Sequence, residues 1–314
     1  MKTTVDDAPA GGIMEDVRPL SWSRTVAREL VHRDSVAEVL LTDVRRTSWS
    51  PDGAGFEAAA SWSRSHPTFP RDGADLHSPL VIVETLRQLG IYIPLRYFDV
   101  EPTAHLLITD LFFEIDPSAE PRALFGATAV ICAVRASDVR RSAEDGSVTG
   151  LRLDVSFSAH GTVFAQAGGG ARVLDGERYE AVRTGRTRFA APKSPTGRLR
   201  PDIRRLGVTG AHDVVLGIDG GTLLVEPADP RHPFFFDHAT DHVPGIILLE
   251  AARQAAAVES GGALLRPTGG RLEAARFVEH SPPARIMCVP YHDICVFRFL
   301  QDGERKAFGV LRYR

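Results

Sequence analysis

The chain has 314 residues, 43% of them hydrophobic and 25% charged, which is enough apolar material for two ordinary domains or one large one. A formal net charge of −3 carries no basic excess, which argues against a nucleic-acid-binding protein, and nothing in the composition suggests disorder. Arg45-Arg46, Arg140-Arg141 and the run from Arg198 to Arg205 read as solvated faces or linker charge.

In chain order, the opening MKTTVDDAPAGGIMEDV has no apolar signal core, so residues 1–20 read as a flexible lead-in. No run of about 18 apolar residues occurs, and the expectation is a soluble, cytoplasmic protein without a membrane partner. The segment Glu38 to Asp43 is β-like, and His66-Pro67-Thr68-Phe69 follows it in a polar loop. The run Val81-Ile82-Val83-Glu84-Thr85-Leu86-Arg87-Gln88 is read as a helix. Apolar, β-branched or alternating runs then cover Leu106 to Ile115, Ala123 to Val134, Leu151 to Phe157 and Thr162 to Ala167, with a hairpin turn at Ala159-His160-Gly161. Arg186 to Pro201, rich in Pro, Gly and Arg, is the natural linker.

The order of elements then repeats. Asp213 to Leu216 is β-like, and His232-Pro233-Phe234-Phe235 opens a second polar loop. After Pro244-Gly245 comes IILLEAARQAAAVES, rich in strong helix formers. Strand-like runs follow over Leu272 to Val278, Arg285 to Val289, Ile294 to Leu300 and Lys306 to Tyr313, with a turn at Gln301-Asp302-Gly303. His232 follows His66 by 166 residues, and Glu250 follows Glu84 by the same 166. Across residues 66–88, seven positions are identical at that offset, where about one or two would match by chance. The chain is an internal duplication, and each copy reads as strand, long loop, helix and about four antiparallel strands, an α+β layer arrangement.

Glu250, Arg253 and Gln254 share one face of an otherwise apolar helix, and Glu84, Arg87 and Gln88 repeat that face. Burying a charged pair costs several kcal/mol per ion before compensation, so charge repeated on two apolar helices needs a reason. One reading is a structural Glu–Arg pair with Gln capping a strand edge; the other is a functional cluster, favoured by the polar loops that carry His66 and His232. The loop FFFDHATDHVPG also holds Asp237, His238, Asp241 and His242. His238 and His242 lie ahead of Pro244 rather than on a helix face, so a cleft-lining or turn role is preferred to a metal site, and no metal is expected. Asp75 and Asp241 are equally readable as helix-start residues. Gly168-Gly169-Gly170 and Gly217 to Gly221 lack a following Lys-Ser/Thr, which excludes a phosphate-binding P-loop. Cys132, Cys288 and Cys295 each sit among apolar neighbours and read as buried packing residues, a usage typical of a reducing compartment.

HPFFFDHATDHVPGIILLEAARQAAA, with its shorter echo HPTF…HSPLVIVETLRQLG, resembles the A-factor biosynthesis family of γ-butyrolactone-type signal synthases from about residue 25 onward. The resemblance implies a double hotdog: a first module over residues 21–185, the linker at 186–201 and a second module over 202–314, forming a pseudo-dimer with sites between modules. It also implies an acyltransferase without a cofactor. A β-ketoacyl group leaves an acyl-carrier-protein thioester and is esterified onto glycerone phosphate, and the product then condenses to a phosphorylated butenolide or furan that precedes a signal for antibiotic production.

On this reading the catalytic candidates are Glu250, Arg253, Glu84, Arg87 and His238, with His238 and Glu250 in positions like those of hotdog dehydratases. Gln254, Gln88, His232, His66, Asp241, His242 and Gly245 are the substrate-binding candidates. A carboxylate raised in pKa by burial takes the hydroxyl proton, the adjacent Arg holds the phosphate, and backbone N–H groups near Gly245 bind the thioester oxyanion. The rival readings are a thioesterase or dehydratase on carrier-bound substrates and a non-catalytic lactone-binding module. The resemblance leaves oligomeric state open.

Overall fold

A computed structural model describes residues 18–50, 53–64, 66, 75–123, 125–183 and 197–314. Each copy opens on a hairpin rather than the single strand expected from sequence. In the first, β1 (Leu41–Ser50) pairs antiparallel with β2 (Gly53–Ser63). In the second, β7 (Leu216–Asp219) pairs with β8 (Thr222–Val225). β2 has the sequence GAGFEAAASWS, whose alanines carry no strand signal. Ala58, Ala59 and Ala60 are nonetheless fully buried. The start of each expected β-segment is instead a 3-10 turn, Val36–Glu38 before β1 and Ala211–Asp213 before β7.

The helices follow: α1 (Leu80–Tyr97) in the first half and, after the short α2 (Gly176–Arg183) and α3 (Ile203–Leu206), α4 (Gly245–Glu259) in the second. Leu80 to Leu86 and Ile246 to Ala252 are buried without a break, charged residues included. Such helices need a sheet wrapped around them, and in α4 Ala251, Ala252, Ala255, Ala256 and Ala257 let it approach closely.

The sheet comes from β3 (His105–Ile115), β4 (Ala127–Arg141), β5 (Val148–Ala159) and β6 (Thr162–Leu174), then from β9 (Gly269–Ala274), β10 (Arg285–Tyr291), β11 (Ile294–Gln301) and β12 (Glu304–Arg312). They overlap the downstream runs legible in sequence, although β9 ends at Ala274, short of the expected Val278. The two expected turns join β5 to β6 and β11 to β12, with His160 and Gly161 at φ 51° and 80° and Asp302 and Gly303 at φ 54° and 75°. Two consecutive left-handed residues make the primed turn that matches strand twist.

Among the described residues, twelve strands form one sheet in the order β1-β2-β4-β5-β6-β3-β9-β12-β11-β10-β8-β7. The halves meet where β3 pairs antiparallel with β9, with Leu111 opposite Leu272 and Phe113 opposite Gly270. One hydrophobic core runs through both halves, from Trp62 and Phe157 to Phe297 and Phe299. Two hotdog-type units, each a central helix wrapped by an antiparallel sheet, are thus joined edge to edge. The glycine run at 168–170 lies within β6, where a Cβ on Gly169 would sit 2.3 Å from the Asp110 carbonyl oxygen. Close strand packing accounts for it.

Two sequence readings change. Cys132 is buried and free as expected, but Cys288 and Cys295 are disulfide-bonded between β10 and β11 with Cα atoms 6.5 Å apart. The greater part of the proposed linker, residues 186–196, lies outside the described residues, as do Pro67 to Phe69, Arg71 and Asp72. The linker's end is docked: Leu199 bridges to Ile218, and Arg198 and Arg200 pair with Glu226.

Candidate active site

The two Glu-x-x-Arg-Gln faces are built on matching supports. Gln88 accepts from the backbone N–H of Leu40 and Leu41 at 2.9 and 3.3 Å and donates to the Glu38 carbonyl at 2.7 Å. Gln254 accepts from the Val215 N–H at 3.0 Å and donates to the Asp213 carbonyl at 2.8 Å. Each Gln therefore ties its helix to the chain entering the first strand. Upstream the copies still correspond: the 3-10 turn Arg28–Val31 matches α3, and each is followed by a left-handed residue. That residue is His32 (φ 48°) in the first copy and Gly207 (φ 62°) in the second. The next position is Arg33 in one copy and Val208 in the other.

Glu84 is fully buried, and its Oε1 accepts every donor offered: Arg33 Nε at 3.1 Å and Nη2 at 2.8 Å, Arg87 Nη1 at 3.3 Å and Gln88 Nε2 at 2.8 Å. Its Oε2 is buried without a hydrogen-bond partner. Burial alone would raise the Glu84 pKa, but Arg33, Arg87 and Gln88 outweigh it and the carboxyl lies below its ordinary value. The expected raised-pKa base is therefore not found at Glu84. Arg33 reaches across the seam: its Nη1 donates to the Phe234 carbonyl at 2.9 Å, and its guanidinium lies 5.0 Å from the centre of the Phe234 ring. Beside it, the Asp237 carboxylate accepts from the backbone N–H of Asp34 at 2.6 Å and Ser35 at 3.0 Å.

These contacts bring His238 of the second half toward the first-half box. Its side chain is 34% exposed, and Nδ1, without a hydrogen-bond partner, lies 3.8 Å from Asp237. Burial, then the positive fields of Arg87 and Arg33, hold its pKa below the ordinary imidazole range, so the ring is neutral at pH 7. His32 responds to the same surroundings: burial, Arg87, His238 and His105 push it down to about 4, against a weaker upward pull from its hydrogen bond to Pro102. Arg87 keeps 21% of its side chain exposed and makes only long bonds, at 3.4 Å to the Val31 carbonyl and 3.5 Å to that of His32.

The second box is arranged differently. Arg253 clamps Glu250 bidentately, Nε to Oε2 at 2.8 Å and Nη2 to Oε1 at 2.6 Å, and Gln254 adds a bond at 2.8 Å. The remaining terminal nitrogen, Nη1, donates to the carbonyls of Leu206 at 2.6 Å and Leu265 at 3.1 Å. The Tyr313 hydroxyl lies in the field of this pair, and burial pushes its pKa up.

The twelve site residues expected from sequence fall into several clusters. Glu84, Arg87 and His238 come together at the seam, while Glu250 and Arg253 form the separate clamp. Gln88 and Gln254 face backbone. His66 and His232 are buried, the first bonded to Glu38 at 3.0 Å and the second to Asp213 at 3.0 Å. His232 Nδ1 also accepts from the N–H groups of Phe234 and Phe235, both at 3.2 Å. His212, Asp213 and His232 hold ligand-type atoms within 4.8 Å of one another, but the His232 ring is already spent in these bonds. Asp241 and His242 pair at 2.7 Å, and Asp241 is braced by the Tyr179 hydroxyl at 2.8 Å and Arg183 Nε at 3.1 Å. Desolvation raises the Asp241 pKa, but His242, Tyr179 and Arg183 outweigh it and hold the carboxyl well below its usual range. Gly245 is the first residue of α4, and the Pro244 carbonyl there accepts from Ile247 at 3.0 Å. His32, Arg33, Tyr179 and Arg183 were not singled out; the one signal for the first two is the His-Arg that stands where the second copy has Gly-Val.

This fold and its paired boxes define a double hotdog protein. The chain belongs to the A-factor biosynthesis hotdog domain family, which it matches over residues 14–175 and 212–265. It is 34% identical over 274 residues to a 2-oxo-3-(phosphooxy)propyl 3-oxoalkanoate synthase of Streptomyces virginiae, covering 85% of this chain and 87% of that protein. A protein of the same name from Streptomyces coelicolor is 30% identical over 267 residues, covering 83% and 81% respectively. Among solved structures, an acyl-ACP thioesterase from Bacteroides thetaiotaomicron superposes with a TM-score of 0.50 at 12% identity, over 82% of this chain and 98% of its own. That likeness supports the hotdog fold.

Proposed function

We propose that the chain is an acyltransferase that makes a 2-oxo-3-(phosphooxy)propyl 3-oxoalkanoate from a carrier-bound 3-oxoacyl thioester and glycerone phosphate. The product name shared by its relatives carries this reading, since it is the ester of a 3-oxo acid with the hydroxyl of glycerone phosphate. The hydroxyl oxygen attacks the thioester carbonyl carbon, its proton passes to a base, the C–S bond breaks and the carrier thiolate leaves, taking up a proton. The ester then undergoes intramolecular condensation toward the phosphorylated butenolide or furan.

The site chemistry supports it. A guanidinium suits a phosphate because its planar donors match the oxygens in pairs. A half-buried neutral imidazole such as His238 suits proton transfer at neutral pH. The thioester is supplied by an acyl carrier protein. Mass spectrometry of reactions with 3-oxoacyl carrier thioesters of varied chain length, with and without glycerone phosphate, tests the proposal. The phosphorylated ester, or its condensed product, is expected only with glycerone phosphate. Free acid or enoyl product in both reactions would instead establish a thioesterase or dehydratase.

A further inference from the structure

We propose that the chain has one reaction centre, not two: Arg33 takes over the neutralisation of Glu84 and so releases Arg87 to bind the phosphate of the acceptor, beside His238 as proton acceptor. The proposal rests on the acyl-transfer reading above and adds where the reaction occurs and why only there.

The two boxes differ in how their hydrogen bonds are spent. Among the described residues, the guanidinium that meets Glu250 is that of Arg253, whose Nε, Nη1 and Nη2 already donate to the carboxylate or to backbone carbonyls. Its role is spent in holding the second half together. At Glu84 the close ion pair is made by Arg33, at 2.8 Å, while Arg87 contributes a 3.3 Å contact and two bonds to carbonyls of 3.4 and 3.5 Å. Bonds that long are weak and readily exchanged for charge-assisted ones to a phosphate dianion. Arg33 is 5% exposed and its guanidinium is directed at Glu84 and the Phe234 carbonyl, so it acts through Glu84 and Arg87 as a positioning residue.

The supports diverge in the same direction. The left-handed position after the first turn is glycine in the second copy and His32 in the first, which sets an imidazole beside Arg87. A non-glycine residue there costs backbone strain that glycine avoids. The Val208 position is Arg33 in the first copy. The second-half loop contributes His238, whereas the aligned first-half residues read Arg71-Asp72 and offer no imidazole. During transfer the hydroxyl proton passes to His238 as the carbon–oxygen bond forms. The imidazolium returns it to the carrier thiolate as the carbon–sulfur bond breaks.

The test uses steady-state kinetics on the full chain with a 3-oxoacyl carrier thioester, together with titration of glycerone phosphate by calorimetry. Arg33→Val, which copies the second half, is expected to raise KM for glycerone phosphate about 10- to 100-fold, with KM for the thioester unchanged. Arg33→Lys is expected to fall between, and it decides the matter if Arg33→Val does not fold. A purely structural Arg33 would alter both KM values or only the folded fraction, and either result overturns the proposal. Calorimetry is expected to count one glycerone phosphate per wild-type chain; two, or none, overturns it. A wild-type enzyme that makes no ester removes the functional reading as well, whereas ester made with two binding sites or an indifferent Arg33 removes this inference alone.

Discussion

Replacing His32 with glycine tests the geometry of the seam through stability rather than turnover. In the native protein the His32 imidazole is held at a pKa of about 4, against 6.5 for a free side chain, by burial and by Arg87 on α1, His238 on the second-half loop and His105 on β3. The folded state thus binds fewer protons than the unfolded chain between these values. Its contribution to stability is complete above about pH 6.5 and is lost as pH falls toward 4. At pH 5 the full shift corresponds to ~2 kcal/mol, and screening of a partly exposed ring reduces it to ~1 kcal/mol. His32→Gly removes that loss. At pH 7, relief of left-handed strain and the greater freedom of glycine in the unfolded chain nearly cancel, leaving a change within ~1 kcal/mol. Scanning calorimetry at pH 7 and pH 5 should therefore show the variant losing less on acidification, with Tm differing from wild type by ~2 °C more at pH 5 than at pH 7. Parallel pH dependence in the two proteins would refute the placement of His32 in this field.

Glu84→Gln leaves Arg33 and Arg87 without their counter-charge in a buried position and should cost ~3–5 kcal/mol, read as a lower urea midpoint. His232→Ala removes the acceptor for two backbone N–H groups and the partner of Asp213, so urea unfolding should show a loss of ~2–3 kcal/mol. Gly309→Ala places a methyl 1.9 Å from the Arg271 carbonyl oxygen where β12 meets β9. A loss of ~1–3 kcal/mol or more should appear in thermal denaturation, and an unchanged Tm would mean that the two strands are spaced differently.

The duplicated boxes were legible because identical chemistry recurs at a constant spacing on helices that are otherwise apolar. The downstream strands and both primed turns were legible because alternation and His-Gly or Asp-Gly pairs are local signals. The first-strand hairpins were not, since an alanine-rich β2 owes its conformation to packing between β1 and β4. Arg33 was illegible for another reason: its partners are Glu84, 51 positions on, and the Phe234 carbonyl, 201 positions on, and no periodicity reports a contact across two halves. The Glu84 pKa was misjudged because burial was visible in the sequence while the second arginine was not. The cysteines illustrate the same limit, since Cys288 and Cys295 meet only once β10 folds against β11.

The two halves belong to one polypeptide, and the joint between β3 and β9 makes them one sheet as well. In a dimer of identical subunits, a substitution that improves one interface site appears at its symmetry mate too, with whatever penalty it carries there. A fused pair escapes that constraint. The left-handed turn can keep glycine on the side that only has to hold together and accept histidine on the other. Each half can then drift toward its own task, with the Glu250–Arg253 clamp preserving the scaffold against which its twin has been altered.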